Sequence, residues 1–260
     1  MGVSMKVVRK FAAGGTVMVT AVMASIGMAQ ADGAAARKAA PVAAPTSWSG
    51  LYFGAQAGWS WSDVESDFVT AAGVPLGFND SVHHDAGIVG GQIGIQHQFG
   101  HIVVGIEASS AFAYNDDYAN VNCPNELRTC GKRLENVLSV GPRVGWAMGK
   151  WMPYLTGGYA SAHYGHKSFD NGFPNVTNVR QFGDRFSGWY VGAGVDMALA
   201  QGWTVGLEYR HYDFDSETIE TFLPTGIATG EFRNVEPTLD TVAVRVSWKL
   251  GRPEPAKPMK

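Results

Sequence analysis

From Trp48 onward the chain alternates apolar side chains with small or polar ones at a period of two, the spacing of strands whose two faces meet different surroundings. In 48–61, Leu51, Phe53, Ala55, Ala57, Trp59 and Trp61 share one face, and Tyr52, Gly54, Gln56, Gly58 and Ser60 share the other. The pattern recurs over 87–99, 102–114, 134–148, 151–166, 185–199, 203–214 and 240–250. In 134–148, Leu134, Leu138, Val140, Val144, Trp146 and Met148 stand against Glu135, Ser139 and Arg143, whereas both faces of 151–166 hold aromatics. Pro142 falls on the apolar face in mid-segment, where a missing N–H is unfavourable; a local bulge is one way to absorb it, and the sequence leaves its accommodation open.

The connections alternate in length. Short ones fall near Gly100, at Gly149-Lys150 and at Gln201-Gly202, and long polar ones span 62–85, 115–132, 167–184 and 215–239. Short turns at one end and long loops at the other are the asymmetry of an outer-membrane barrel, with the turns in the periplasm. The pattern therefore predicts an all-β chain, an eight-stranded antiparallel transmembrane β-barrel with short periplasmic turns and long outer loops. Side-chain volume decides which face looks outward. Trp, Phe, Leu and Ile crowd one face and Gly, Ser and Ala the other, and an eight-stranded lumen has room only for modest side chains. The bulky face is thus assigned to lipid, against the soluble-barrel alternative. Trp48, Trp59, Trp61, Tyr114, Trp146, Trp151, Trp203 and Trp248 sit near strand ends and suit interfacial girdles.

Composition changes this picture little. Mean hydropathy is −0.06, as expected where lipid-facing and lumen-facing residues average out. The first residues add an export step. Lys6, Arg9 and Lys10 precede an apolar stretch over 11–28, and Ala29-Gln30-Ala31 offers a signal-peptidase site. The expected organisation is a signal peptide over 1–31, an Ala/Pro-rich periplasmic tether over 32–47, the barrel over 48–250 and a Pro-rich tail over 251–260. Losing the three basic residues takes the formal charge from −3 to −6, which speaks against nucleic acid as a partner. Cys123 and Cys130 are the two cysteines, and in an exported chain they read as one disulfide in the second outer loop.

Four stretches then carry a resemblance. Trp48-Ser-Gly-Leu-Tyr-Phe-Gly-Ala-Gln-Ala-Gly-Trp59, Pro153-Tyr-Leu-Thr-Gly-Gly158, Gly188-Trp-Tyr-Val-Gly-Ala-Gly194 and Leu207-Glu-Tyr-Arg-His-Tyr-Asp-Phe214 resemble the small-barrel outer-membrane immunogenic proteins, a porin-family group related to OmpA-type barrels. The resemblance implies a surface or structural protein of the Gram-negative outer membrane, with outer-membrane lipid, lipopolysaccharide and the barrel-assembly machinery as partners. It also implies, as alternatives, binding of a haemin-like ligand or a narrow pore. Family members commonly end at an aromatic residue, whereas the last strand here ends at Leu250 and is followed by Gly251.

Candidate chemistry is sparse, and an enzyme is the third reading. His211 lies beside Tyr212 and Asp213 with Ser216 nearby, but no nucleophile-bearing run such as His-Ser-Asn is present. His83 and His84 are followed by Asp85, yet adjacent histidines on an extended chain point to opposite sides and would not share an ion. No cofactor or metal is expected, and host or ligand partners are left open. Glu107, Asp196 and Glu208 with Arg143, Arg210 and Arg245 fall on the inward face at similar heights, which predicts a neutralising charge network in the lumen.

Overall fold

The computed structural model describes residues 47–114, 119–122, 128–170, 180–222 and 228–250. The expected signal peptide, nearly all of the expected tether, and the tail expected over 251–260 lie outside these residues. Ten strands follow in chain order: β1 (Gly50–Val69), β2 (Pro75–Phe99), β3 (Ile102–Ala113), β4 (Ala119–Asn122), β5 (Arg128–Trp146), β6 (Trp151–Asp170), β7 (Arg180–Ala198), β8 (Trp203–Phe214), β9 (Glu217–Phe222) and β10 (Ala228–Lys249). Each long strand pairs antiparallel with the next, and β10 returns to β1, so eight staves close into a barrel. The short strands β4 and β9 pair with β5 and β10 above the ends of β3 and β8, extending those two staves.

The turns at one end are tight because glycine permits them. Met148 and Trp151 exchange two backbone hydrogen bonds of 2.8 and 3.1 Å around Gly149, which takes the left-handed φ of 63°. The outer end departs from the expected long loops. Much of 62–85, 115–132, 167–184 and 215–239 is strand, and β1 joins β2 through Thr70–Val74 alone. The polar composition of these stretches reads as loop, but it belongs to strands whose outward face meets water.

On β1 the outward positions from Leu51 to Trp61 are apolar, and those that follow are Asp63, Glu65 and Asp67. Ten residue steps at ~3.3 Å, tilted by ~40°, rise about 25 Å, the height of an outer-membrane apolar band. The wall above Trp61 therefore stands outside the lipid. There it divides into two four-stranded sheets, β9-β10-β1-β2 and β4-β5-β6-β7. The β2–β3 ladder stops at Ile88↔Ala113 and the β7–β8 ladder at Gly188↔Phe214. Among the described residues, β4 pairs only with β5, and β7 meets β9 only at Gln181↔Phe222.

Two expectations need correction, and the accommodation of Pro142 can be described. Trp48 is buried rather than in a girdle. Its even position puts it on the inward face with Tyr52, where it stops the periplasmic mouth against Val103, Ala147, Met152 and Tyr154. Leu134 points inward, because a bulge between Leu134 and Asn136 reverses the alternation that places Leu138 and Val140 outward. Pro142 has no bulge. Bridge pairing to β6 skips Gly141 and Pro142 and resumes at Arg143↔Thr156 in the same register, while Thr156 Oγ1 donates to the Pro142 carbonyl at 3.1 Å.

Candidate functional site

The lumen of the membrane-embedded half is a belt of charge built on glycine-cleared rows. Tyr52 on β1 stands opposite Gly94 on β2, which stands opposite Glu107 on β3. A Cβ on Gly94 would lie 2.4 Å from the Tyr52 hydroxyl oxygen, so glycine lets the ring cross its neighbour. The Tyr52 hydroxyl then donates to Glu107 Oε2 at 2.7 Å. The same row recurs on the other side. Tyr154 on β6 crosses Gly194 on β7, and its hydroxyl donates to Glu208 Oε2 on β8 at 2.9 Å.

The structure brings all six charged residues anticipated for the lumen into one set of contacts. Arg245 reaches Glu107 Oε2 with Nη2 and Glu208 Oε2 with Nη1, both at 2.5 Å. Arg210 places Nη2 2.7 Å from Glu107 Oε1 and Nε 2.7 Å from Glu208 Oε1. Arg143 pairs with Asp196 and stands 3.3 Å from Glu107 Oε2. Glu107 thus meets all three arginines. Its side chain and that of Arg245 are each 1% exposed, so neither charge has water to fall back on. Three acids balance three bases, and neutral surroundings complete the set. Arg210 Nη1 donates to Ser109 Oγ at 2.6 Å and to Ser139 Oγ at 2.7 Å, and the Arg143 guanidinium lies 3.5 Å from the Tyr154 ring centre. A buried pair of this kind adds little net stability by itself, but removing one partner strands the other.

The alternation alone does not reveal Tyr52 and Tyr154 as members of the belt. A repeat in the sequence is the signal that does. Val104-Gly105-Ile106-Glu107 on β3 matches Val205-Gly206-Leu207-Glu208 on β8. Val140, Arg143, Val144 and Trp146 on β5 match Val242, Arg245, Val246 and Trp248 on β10 at the same spacing. Each half of the barrel carries one Tyr–Glu–Arg set, and the second half adds Asp196 and Arg210 where the first has Gln96 and Ser109.

Above the belt the filling changes character. Leu134, Tyr164, Phe186 and Phe214 pack with Val64, Val235 and Leu239 in one apolar cluster. Tyr164 meets Phe186 edge-on at 5.9 Å, and its hydroxyl bonds Ser62 Oγ at 2.9 Å. The lumen is therefore occupied in three layers: the Trp48 stopper, the charge belt and the apolar filling.

The remaining candidates lie apart. His83 is exposed and paired with Asp63 outside the wall, while His84 is buried inside, so the two face opposite ways. Burial in the outer half pushes the His84 imidazole below the ordinary value, and its Nε2 has no hydrogen-bond partner among the described residues. His211 points outward; its Nδ1 lies 2.8 Å from Asp240 Oδ1, its ring meets Trp189, and Asp240 also accepts from the Tyr209 hydroxyl at 2.6 Å. Cys123 lies outside the described residues, and so does the disulfide expected between it and Cys130.

Comparison with known proteins places this geometry. The family model for the outer membrane protein beta-barrel domain matches residues 19–249. A 22 kDa outer membrane protein of Rhizobium leguminosarum bv. viciae is 30% identical over 180 residues, covering 68% of this chain and 70% of that one. A 25 kDa outer-membrane immunogenic protein of Brucella abortus biovar 1 (strain 9-941) is 26% identical over 201 residues, covering 71% of this chain and 80% of its own. Among solved structures, the outer membrane protease OmpT from Escherichia coli superposes with a TM-score of 0.49 at 9% identity, covering 77% of this chain and 97% of that one.

Proposed function

Because this chain belongs to the outer membrane protein β-barrel family, we propose that it serves the outer membrane as a sealed structural barrel that holds a two-sheet head above the lipid. Its place is the outer membrane, and its role is that of a structural and surface protein. The observation that carries the finer reading is the filled lumen: Arg245 and Glu107 are each 1% exposed at the belt, and Leu239 is 0% exposed above it. An eight-stranded barrel packed with its own side chains has no aqueous path of porin width. Catalysis has no place in this reading, since the partners of His211 are an acid and an indole rather than a nucleophile. On the same reading residues 1–31 are removed on export, and N-terminal sequencing of the envelope protein should begin at Asp32. Planar-bilayer recording of the purified, refolded chain tests the seal. The expected result is no stable conductance of porin size, and steady steps of that size from the monomer would refute it.

A further inference from the structure

The periplasmic mouth of the barrel is closed by residues that belong to no strand. The β1–β2 ladder ends at Gly50↔Gln96, and Ser47, Trp48 and Ser49 lie beyond it. Gly50 takes a φ of 136°, a value that glycine adopts without cost, and the residues before it cross the lumen. Side chains rather than a backbone ladder hold this strap. The Trp48 N–H donates to Gln98 Oε1 at 2.9 Å, and the Trp48 carbonyl accepts from Gln96 Nε2 at 2.8 Å. Lys249 Nζ donates to the Ser47 carbonyl, and the Gln98 N–H donates to Ser49 Oγ at 2.9 Å. The indole is buried on Val103, Ala147, Met152 and Tyr154, yet its Nε1 has no hydrogen-bond partner among the described residues. A buried indole N–H ordinarily has one.

We propose that residues 47–49 are a releasable strap, seated as their own chain's ligand in a site that reads one aromatic residue of an extended peptide. Gln96 and Gln98 stand two positions apart on the inward face of β2. Between them they satisfy the N–H and the C=O of a single residue, while the pocket beside them takes its side chain. Peptides bound between chains are read in the same two ways, backbone groups supplying affinity and a side-chain pocket supplying specificity. A ladder would tie the strap to the unfolding of the sheet, whereas a few side-chain bonds let it open alone. The unpartnered indole N–H lowers the cost of leaving, since water satisfies it outside. Release uncovers Tyr154, whose hydroxyl donates to Glu208 Oε2 and accepts from Arg245 Nη1, each at 2.9 Å, so water then reaches the lower side of the charge belt. The inference rests on the sealed-barrel reading above. The belt and the apolar filling still close the lumen from the outside, and the open mouth is a blind pocket facing the periplasm.

Met152, fully buried against the indole, reports the state of the strap. The test uses the full chain refolded in nonionic micelles, its folded state verified by heat-modifiable migration on gels. Hydrogen peroxide converts an accessible thioether to the sulfoxide and is itself reduced to water. Peptide mass mapping follows Met152, with the exposed Met148 as reference. In the wild type Met152 should oxidise more slowly than Met148, at a rate that stays level in urea below the unfolding transition, as local opening requires. Trp48→Ala should raise that rate about tenfold or more. Gln96→Ala and Gln98→Ala keep the indole and each remove one bond to the strap, so each should raise it about two- to tenfold. The acetylated peptide of residues 46–50 at millimolar concentration should restore protection to Trp48→Ala, and the same peptide with alanine in place of tryptophan should not. A wild-type rate that climbs steeply with urea, or one unchanged by all three substitutions, would make Trp48 a fixed core residue and overturn the strap alone. Failure of the peptide to protect would overturn the peptide-reading site. A wild-type rate equal to that of Trp48→Ala would mean a lumen open whatever the strap does, and would sink the sealed-barrel reading and the strap together.

Discussion

Below Trp61 the wall is apolar outside and charged inside; above it the wall is charged outside and apolar inside. The same strands build both regions. β1 turns Leu51, Phe53 and Trp59 to lipid and Gln56 to the lumen, then turns Asp63 and Glu65 to water and Val64 to a core. The strand period never changes; only the identity of the residues on each face does. The solvent outside each region decides the rest. In the lipid half, outward apolar side chains carry no hydrophobic gain against one another, so the interior is held by buried charges that pair with one another. In the outer half, burial of Phe186, Leu134 and Leu239 is driven by water on the far side of the sheets.

The largest break in this comparison should come from the belt. Arg245→Ala would leave Glu107 and Glu208 with two arginines between them and Asp196 instead of three. A buried charge without its partner costs about 3–5 kcal/mol, and urea unfolding in micelles should register that loss for the whole barrel. A midpoint equal to the wild type's would mean that lumen water solvates these charges.

Leu239→Ala probes the other region. Loss of a fully buried leucine costs about 2–4 kcal/mol, and here it should be felt mainly above the lipid. Protease sensitivity and amide exchange in the outer strands should rise while the heat-modifiable core of the barrel persists. Uniform destabilisation would show that the two regions unfold as one unit.

How much of this division could be read in advance is settled by particular residues. The period of two located every stave, and the parity of Glu107, Arg143, Asp196, Glu208, Arg210 and Arg245 placed them in the lumen. The outer strands were hidden because their alternation runs apolar-in and charged-out, as in Asp63-Val64-Glu65, within segments whose polarity resembles loop. The belt role of Tyr52 and Tyr154 was hidden because each ring crosses a glycine on the next strand to reach its glutamate, a relation between strands rather than along one. Leu134 was misplaced by a bulge, which no periodicity displays.

A smaller effect should sharpen the comparison through pH. His84 is buried in the outer half, facing Ser62 across the ladder, with Asp85 and Arg133 as the charges that act on it. Burial lowers its value from the ordinary 6.5, so the unfolded chain takes up a proton more readily than the folded one. Its contribution to stability is therefore present above that ordinary value and is lost as pH falls through the depressed one. Amide exchange near Val64 and Phe186 should rise on acidification, with the membrane half unchanged, and His84→Leu should remove the dependence. The smallest effect belongs to the outer surface. Glu65→Ala removes one of two like charges facing each other and should change stability by no more than about 0.5 kcal/mol, in the stabilising direction.

The central claim is that the membrane half is held by coupled charges rather than by independent ones, and a double-mutant cycle on Glu107 and Arg143 tests it most directly. The two lie on neighbouring staves 3.3 Å apart, each with further partners in the belt. Urea unfolding in micelles of Glu107→Gln, Arg143→Ala and the pair together supplies the three differences. The account predicts that the double variant loses less than the sum of the singles, by about 0.5–3 kcal/mol. Strict additivity, or wild-type midpoints for both single variants, would contradict it.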